Sequence, residues 1–312
     1  MMKLKNHQIL LFSLIILCLF LFIMFFAAPE ITLTAGNYVG IDTCKACHQG
    51  RYNSYLKSTH ARKAIPGNPA NRNACESCHG PGSAHVQKGG GKGTGMITFG
   101  KKADSDVKMA QCLSCHKDSR VVPFWDLSLH KVNGISCTEC HSGHSGTKNN
   151  LKAAQPALCN TCHLDVRAQT NRQSHHPIKE SLIKCTQCHD QHGNSGPKMI
   201  KADTANELCF KCHAEKRGPF LWEHPPVAEN CLTCHVPHGS NHGKLLVSKP
   251  PLLCQSCHDA DRHPGTIYTR FETFSGTAVS GKNRMIARGC LNCHSNIHGS
   301  MGPSTRGQHF LR

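Results

Sequence analysis

Hydrophobic residues are concentrated at the amino terminus of the chain and are sparse elsewhere. The run from Ile9 to Ala28 is almost entirely apolar, follows two lysines and gives way to polar sequence. This order predicts a secretory signal over residues 1–35, with cleavage after Ala35. Because the run is about twenty residues long, enough to span a bilayer, an uncleaved anchor is the alternative.

Beyond this leader the pattern predicts loops and short helices. Thr204 and Glu207 have the spacing of a capping box, which predicts a short helix leading into Cys209. Five glycines between Gly89 and Gly95 indicate a flexible surface connection. No stretch calls for more than short α-helices, with little or no β-sheet. Aromatic residues make up only 6% of the chain, so the polypeptide lacks the apolar core that a chain of this size normally needs.

The cysteines indicate what replaces that core. The sequence Cys-x-x-Cys-His occurs ten times and uses 20 of the 21 cysteines, leaving only Cys18 in the leader. This motif binds haem c, with two thioether bonds to the porphyrin and the histidine as proximal iron ligand. The predicted attachment residues are Cys44, Cys47, Cys75, Cys78, Cys112, Cys115, Cys137, Cys140, Cys159, Cys162, Cys185, Cys188, Cys209, Cys212, Cys231, Cys234, Cys254, Cys257, Cys290 and Cys293. The predicted proximal ligands are His48, His79, His116, His141, His163, His189, His213, His235, His258 and His294.

Other uses of paired cysteines do not fit this pattern. Zinc ribbons, redox dithiols and disulfide frameworks do not require a histidine directly after the second cysteine. We therefore predict a multihaem cytochrome c whose elongated, loop-rich fold is organised by ten covalent haems. Five motifs lie on each side of residue 165, which predicts two pentahaem halves, 36–165 and 166–312, within one continuous decahaem domain.

The formal net charge of +17 would suit a nucleic-acid partner. Each haem, however, brings two propionates, which offset much of the basic excess, and any remainder would steer acidic partners. No nucleic-acid-binding motif is present in the sequence. We expect no nucleic-acid partner.

Histidines outside the motifs recur with a period of about 47 residues. Each repeated unit has one histidine upstream, a haem motif, a histidine just downstream and a second haem motif. Thirteen such histidines follow the leader, enough to give every iron a second imidazole ligand. The predicted distal ligands are His60, His85, His130, His144, His176, His192, His224, His238, His263 and His298; His175 competes with His176, and His242 and His309 are reserves.

Methionines do not recur at the repeat period, so we expect histidine at both axial positions of every haem. Such ligation gives low reduction potentials and leaves no iron open to a substrate. The sequence therefore favours an electron carrier, not an enzyme, and predicts no catalytic residue. A multihaem reductase with one open iron is a minor alternative.

Several stretches resemble the MtrA/DmsE family of decahaem cytochromes over nearly everything from Tyr38 to about Gly302. They include Cys75-Glu-Ser-Cys-His-Gly-Pro-Gly-Ser-Ala-His85, Ser174-His-His-Pro177 and the segment 207–226. The resemblance implies a periplasmic electron carrier lodged in an MtrB-type outer-membrane β-barrel porin.

The same resemblance implies the partners of such a carrier. Electrons would pass between a periplasmic or inner-membrane quinol-linked cytochrome and an outer-surface multihaem cytochrome or mineral. The process would be extracellular electron transfer, in the direction of metal reduction or of Fe(II) oxidation. Two alternatives remain open: a soluble periplasmic shuttle, and a protein anchored in the inner membrane that faces the periplasm.

Overall fold

The computed structural model describes residues 36–258 and 289–311. The predicted leader, with Cys18, and the candidate ligand His263 lie outside the described residues. Among the residues described, no helix combines the length and the apolar character needed to cross a lipid bilayer.

Regular structure consists of short helices joined by loops. The α-helices of the described residues, numbered α1 to α13 in chain order, are Ile41–Cys47, Gln49–Leu56, Glu76–His79, Ser83–Gln87, Ser105–His116, Leu129–Val132, Cys137–Cys140, Leu164–Thr170, Cys185–Cys188, Ala205–Phe210, Pro225–Glu229, Leu252–Gln255 and Thr305–Gln308. Single 3₁₀ turns lie at Thr59–Ala61, Pro69–Asn71, Trp125–Leu127, Lys148–Asn150, Cys159–Thr161, Pro197–Met199, Ala214–Lys216, Cys231–Thr233, Gly243–Leu245 and Cys290–Asn292.

No β-strand occurs within 36–258 or 289–311; backbone pairing there is limited to isolated antiparallel bridges such as Ser174 with Ser240. The prediction of a loop-rich fold with short helices is therefore confirmed.

Local capping explains where the helices begin. The carboxylate of Asp104 accepts hydrogen bonds from the backbone of Asp106 and Val107 and starts α5, which has 12 residues and is the longest helix in the described part of the chain. Helix α10 begins as predicted, because the Thr204 hydroxyl accepts a hydrogen bond from the Glu207 backbone at 3.1 Å. Both helices run into haem motifs, so their caps fix where an attachment site begins.

The polypeptide by itself has a very small apolar core. Its buried apolar side chains, within the described ranges, are Tyr55, Ala74, Met109, Trp125 and Ile178. Such a core is far too small to offset the conformational entropy of a chain of this length. The fold therefore requires organisation from another source, as expected for a chain that packs around covalent haem.

Polar and backbone contacts cross residue 165, where the sequence predicts the boundary between two halves. The Gln155 and Thr186 side chains are joined by a hydrogen bond of 3.2 Å, and the Ser128 hydroxyl donates to the Gln191 carbonyl at 3.3 Å. These contacts agree with one continuous domain, and the division into two halves stays a prediction.

Candidate haem-binding sites

Each Cys-x-x-Cys-His motif forms a single helical turn. In the fourth motif the His141 backbone N–H donates to the Cys137 carbonyl at 2.9 Å, and the same bond closes every motif outside α5. The third motif lies at the end of α5 and is helical throughout. Because residues three and four apart share a helix face, the turn places both thiols and the imidazole on one side. That arrangement matches what covalent attachment of haem c requires.

Within the described part of the chain, nine of the motif histidines face a second histidine. The ring centres of these pairs are 6.0 to 6.4 Å apart. The pairs are His48–His85, His79–His144, His116–His60, His141–His192, His163–His130, His189–His238, His213–His176, His235–His298 and His258–His224. Every second partner belongs to the set predicted from the sequence repeat.

The separation of these rings fits one metal ion between them. An imidazole nitrogen lies about 2 Å from a metal that it ligates, so two imidazoles on opposite sides of one iron have ring centres about 6 Å apart. The paired histidines therefore fit the axial positions of haem c. They would hold the iron, while the two cysteines of each motif would hold the porphyrin.

The geometry separates His176 from its neighbour His175. The His176 ring lies 6.4 Å from the ring of His213. His175 instead contacts Glu180 at 3.1 Å, and this hydrogen bond lowers the pKa of the Glu180 carboxyl. His176 is therefore the better candidate for the seventh haem.

The two reserve histidines do not pair with a motif imidazole in the described part of the chain. His242 has no ring partner there, and its backbone N–H donates to the Ser240 hydroxyl at 3.0 Å. The His309 carbonyl contacts Nδ1 of His294 at 2.7 Å, so His309 acts through its backbone. The reserve role of both histidines stays a prediction.

Burial favours the neutral form of several predicted distal ligands, and the neutral form is the one that binds iron. Removal from water is the main cause of a lowered pKa at six of them: His60, His144, His192, His224, His238 and His298. The motif histidine opposite adds to the effect at His60, since His116 disfavours a second positive charge.

Backbone carbonyls orient many of these imidazoles through Nδ1. In the even-numbered motifs the acceptor follows the proximal histidine in sequence: His141 contacts the Asn149 carbonyl at 2.9 Å, and His235 contacts the Lys244 carbonyl at 2.8 Å. In the fifth and seventh motifs the distal candidate is oriented instead: His130 contacts the Gln191 carbonyl at 3.0 Å, and His176 contacts the Pro237 carbonyl at 2.6 Å. Such outer contacts fix the ring orientation and increase ligand basicity.

The histidine pairs interlock the repeated units. We number the units one to four by the motif pairs they contain: second and third, fourth and fifth, sixth and seventh, eighth and ninth. An upstream histidine pairs with the second motif of its own unit, as His130 does with His163. A downstream histidine reaches back to the first motif of the preceding unit, as His238 does with His189. Sequence reasoning left this assignment open.

Close backbone approach reinforces the interlock. Gly239, directly after His238, has a φ of 157°, and a Cβ atom there would lie 2.0 Å from the Gln169 carbonyl oxygen. The next residue, Ser240, forms an antiparallel bridge with Ser174, just before the upstream histidine of the third unit. The downstream loop of one unit therefore packs against the segment that precedes the upstream histidine of the preceding unit.

The motifs follow one another in chain order through two alternating kinds of junction. Where an odd-numbered motif is followed by an even-numbered one (an odd-to-even junction), the first cysteines of the two motifs are in contact. At the junction of the third and fourth motifs, a hydrogen bond with Cys137 and burial raise the pKa of the Cys112 thiol. The same thiol contact joins Cys44–Cys75, Cys159–Cys185, Cys209–Cys231 and Cys254–Cys290. At even-to-odd junctions the second cysteines are neighbours: burial and Cys115 raise the pKa of Cys78, and the other such pairs are Cys140–Cys162, Cys188–Cys212 and Cys234–Cys257.

Polar side chains at the odd-to-even junctions were missed by the sequence reasoning. Lys108 is 3% exposed and contacts Glu139, which lies between the cysteines of the fourth motif, at 3.4 Å. At the junction of the seventh and eighth motifs, the Asn206 side chain accepts a hydrogen bond from the Cys231 backbone N–H at 2.7 Å. Their spacing could have indicated this role. Lys108 lies four residues before Cys112 and Asn206 lies three residues before Cys209, so each is one helical turn from the first cysteine of an odd-numbered motif.

Repeated attachment turns and facing imidazoles define a multihaem c-type cytochrome, and comparisons with known proteins agree. The family model described as "Doubled CXXCH motif" matches residues 175–218 and 224–263, and the one described as "Cytochrome c-type protein NrfB-like" matches residues 75–155. The chain is also 39% identical over 276 residues to "Multiheme cytochrome MtrA" of Shewanella baltica (strain OS185), covering 86% of this chain and 81% of the relative.

The chain therefore belongs to the MtrA family of multihaem cytochromes. This confirms the resemblance found in the sequence. Its general function is electron transfer by covalently bound haem c.

Proposed function

We propose that this protein binds ten haems, each with two axial histidines, and conducts electrons across the outer membrane inside an MtrB-type porin. The observation that supports the proposal is the unbroken series of attachment motifs, in which the cysteines of each neighbouring pair of motifs lie near enough to affect one another. When bound, haem supplies an iron that changes between the ferrous and ferric states.

The polypeptide's part is to hold the sites close together and closed. Facing imidazoles at nine motifs would fill both axial positions, and His263 is our candidate for the second position at His294. An enzyme that acts on a bound small molecule needs an open coordination position. The paired geometry therefore supports a carrier and not a reductase.

Crossing a membrane is the task that a series of this length suits. The hydrocarbon core of a bilayer is about 30 Å thick, which is too far for a single tunnelling step but can be divided among many sites. A barrel would shield the polar, loop-rich surface of the chain from lipid. We propose a periplasmic location with the outer membrane as the working site, between a quinol-linked cytochrome and an outer-surface multihaem cytochrome.

The test uses the mature protein and the barrel protein of the same organism, co-expressed and reconstituted in vesicles that enclose mitochondrial cytochrome c. The vesicles are placed on a poised electrode, so neither electron donor nor acceptor can diffuse through the barrel. We expect reduction of the enclosed cytochrome only when both proteins are present. Failure to co-purify with the barrel, in a preparation with ten haems per chain by pyridine haemochrome assay, would overturn the conduit proposal in favour of a soluble shuttle.

A further inference from the structure

Three loops that follow haem motifs share an unusual backbone. We call them the bridging loops: residues 142–151, 190–200 and 236–246, after the fourth, sixth and eighth motifs. Each contains two consecutive residues in the left-handed region, none of them glycine. The pairs are Asn149–Asn150 (φ 57° and 54°), Lys198–Met199 (51° and 56°) and Lys244–Leu245 (60° and 59°).

This conformation is unfavourable for most of these side chains. Glycine adopts it freely and asparagine tolerates it, but lysine, methionine and leucine do not favour it. Its recurrence at the same place in three loops of different sequence means that the surrounding structure imposes it. Strain of this kind concentrates where a protein must hold a group in a fixed position.

The left-handed pair turns two successive carbonyls back toward the haem motif. In the second bridging loop the Lys198 carbonyl accepts from Nδ1 of His189 at 3.1 Å. The Met199 carbonyl accepts from the Asp190 backbone at 2.8 Å, and the Lys201 backbone N–H donates to the Cys188 carbonyl at 2.8 Å. The loop therefore closes on the motif at three successive points.

The other two bridging loops repeat all three bonds. Their imidazole contacts are His141 to the Asn149 carbonyl and His235 to the Lys244 carbonyl, at 2.9 and 2.8 Å. Their backbone contacts are Ser142 to Asn150 (2.8 Å), Lys152 to Cys140 (2.9 Å), Val236 to Leu245 (2.7 Å) and Val247 to Cys234 (2.9 Å).

Each bridging loop also reaches two further motifs. In the second loop His192 lies against His141 of the fourth motif, and the Gln191 carbonyl contacts His130, the candidate distal ligand of the fifth. In the third loop His238 lies against His189 of the sixth motif, and the Pro237 carbonyl contacts His176, the candidate for the seventh, at 2.6 Å. One loop thus holds groups that belong to three consecutive motifs.

We propose that Asn149, Lys198 and Lys244 are positioning residues for electron transfer, acting through their backbone carbonyls on the proximal histidines of the fourth, sixth and eighth haems. A carbonyl bound to Nδ1–H fixes the ring orientation and increases the basicity of the ligand, which favours ferric iron and lowers the reduction potential. The inference rests on the proposed bis-histidine function and deepens it.

The test compares Lys198→Val with Lys198→Gly. Both substitutions remove the same charge, but a β-branched residue disfavours the left-handed conformation whereas glycine accepts it. We expect Lys198→Val to keep ten haems and low-spin irons while one haem titrates at a higher potential with altered electron paramagnetic resonance g values. We expect Lys198→Gly to match the unaltered protein, as should the control Lys148→Val, whose position precedes a left-handed pair.

A second measurement does not depend on any variant folding. In fully reduced, diamagnetic protein labelled with ¹⁵N-histidine, the Nδ1 protons of His141, His189 and His235 should persist after transfer to D₂O. Rapid exchange of these protons would overturn the proposal, and so would a Lys198→Val protein whose potentials and g values equal those of Lys198→Gly. Failure of the underlying bis-histidine function would look different, because the unaltered protein would itself contain high-spin iron.

Discussion

The loop after the second haem motif and the loop after the eighth supply the same two groups but differ in length and in backbone conformation. Each supplies a downstream histidine and a carbonyl for the preceding proximal imidazole. In the first of them the carbonyl of Ile97 reaches His79 across 18 residues, at 2.8 Å. In the other, the carbonyl of Lys244 reaches His235 across nine residues, also at 2.8 Å. The contact is kept although the length of the loop is doubled.

The two loops differ in how the backbone makes the turn. The long loop uses glycine: Gly89, Gly90, Gly91, Gly93 and Gly95 all have positive φ. The short loop turns with Lys244 and Leu245 instead. A long glycine-rich loop loses more conformational entropy on folding, whereas a short loop with lysine and leucine in the left-handed region carries strain. Both loops therefore provide a carbonyl at the same position, whatever their length and sequence.

The destinations of the two histidines also differ. His85, in the long loop, pairs with His48 of the immediately preceding motif. His238, in the short loop, passes over the seventh motif and pairs with His189 of the sixth. Only the second pairing ties one repeated unit to another, so loss of His238 should weaken the interlock as well as one iron site.

The largest effect is expected from removing these two histidines. His238→Ala and His85→Ala should each leave all haems attached and convert one iron to the high-spin state, about one in ten, because one axial ligand is lost. Spin quantitation by electron paramagnetic resonance of the ferric protein measures this, and His238→Ala should also unfold at a lower temperature than His85→Ala.

His242→Ala is the matched control, since His242 lies in the same short loop but faces no motif imidazole among the described residues. It should leave the spectrum low-spin. An unchanged low-spin spectrum for His238→Ala would remove that residue from the set of ligands.

The sequence predicted the candidate ligands because they repeat. His144, His192 and His238 follow a motif histidine at the same interval, and each lies against another motif histidine in the structure. Which motif each one faces could not be predicted, because the downstream histidines reach back by a whole unit, and no local pattern encodes that distance. Tertiary docking around Gly239 and Ser240 decides it.

The backbone carbonyls that orient the proximal histidines could not be predicted from the sequence. A carbonyl belongs to every residue, so Asn149, Lys198 and Lys244 share no side-chain type that would mark their role. Their common feature is a position eight or nine residues after the proximal histidine. The buried position of Lys108 was not predicted either. Its helical spacing to Cys112 is visible in the sequence, but a lone lysine normally faces solvent.

A smaller effect should follow from adding one methyl group to each loop. Gly239→Ala would place Cβ 2.0 Å from the Gln169 carbonyl oxygen, so the two units must separate locally, at a cost of about 3 kcal/mol. Gly93→Ala meets no atom within 4 Å and bears only the left-handed penalty at a φ of 72°, about 1 kcal/mol. Guanidinium denaturation of the holoprotein, followed by the low-spin Soret band, measures both. Equal destabilisation by the two variants would contradict the docking role of Gly239.

The smallest effect should come from relieving strain in the short loop, and its sign is opposite. Lys244→Gly removes a left-handed penalty of about 1–2 kcal/mol and adds about 0.5–1 kcal/mol of backbone entropy loss on folding, so the variant should be stabilised by about 0.5–1 kcal/mol. Lys148→Gly is the control: Lys148 lies one residue before a left-handed pair and outside that conformation, so glycine there should only destabilise. The same denaturation measurement compares them. Destabilisation by Lys244→Gly would contradict this prediction. It would mean that the contacts of the lysine side chain stabilise the loop by more than its left-handed backbone conformation costs.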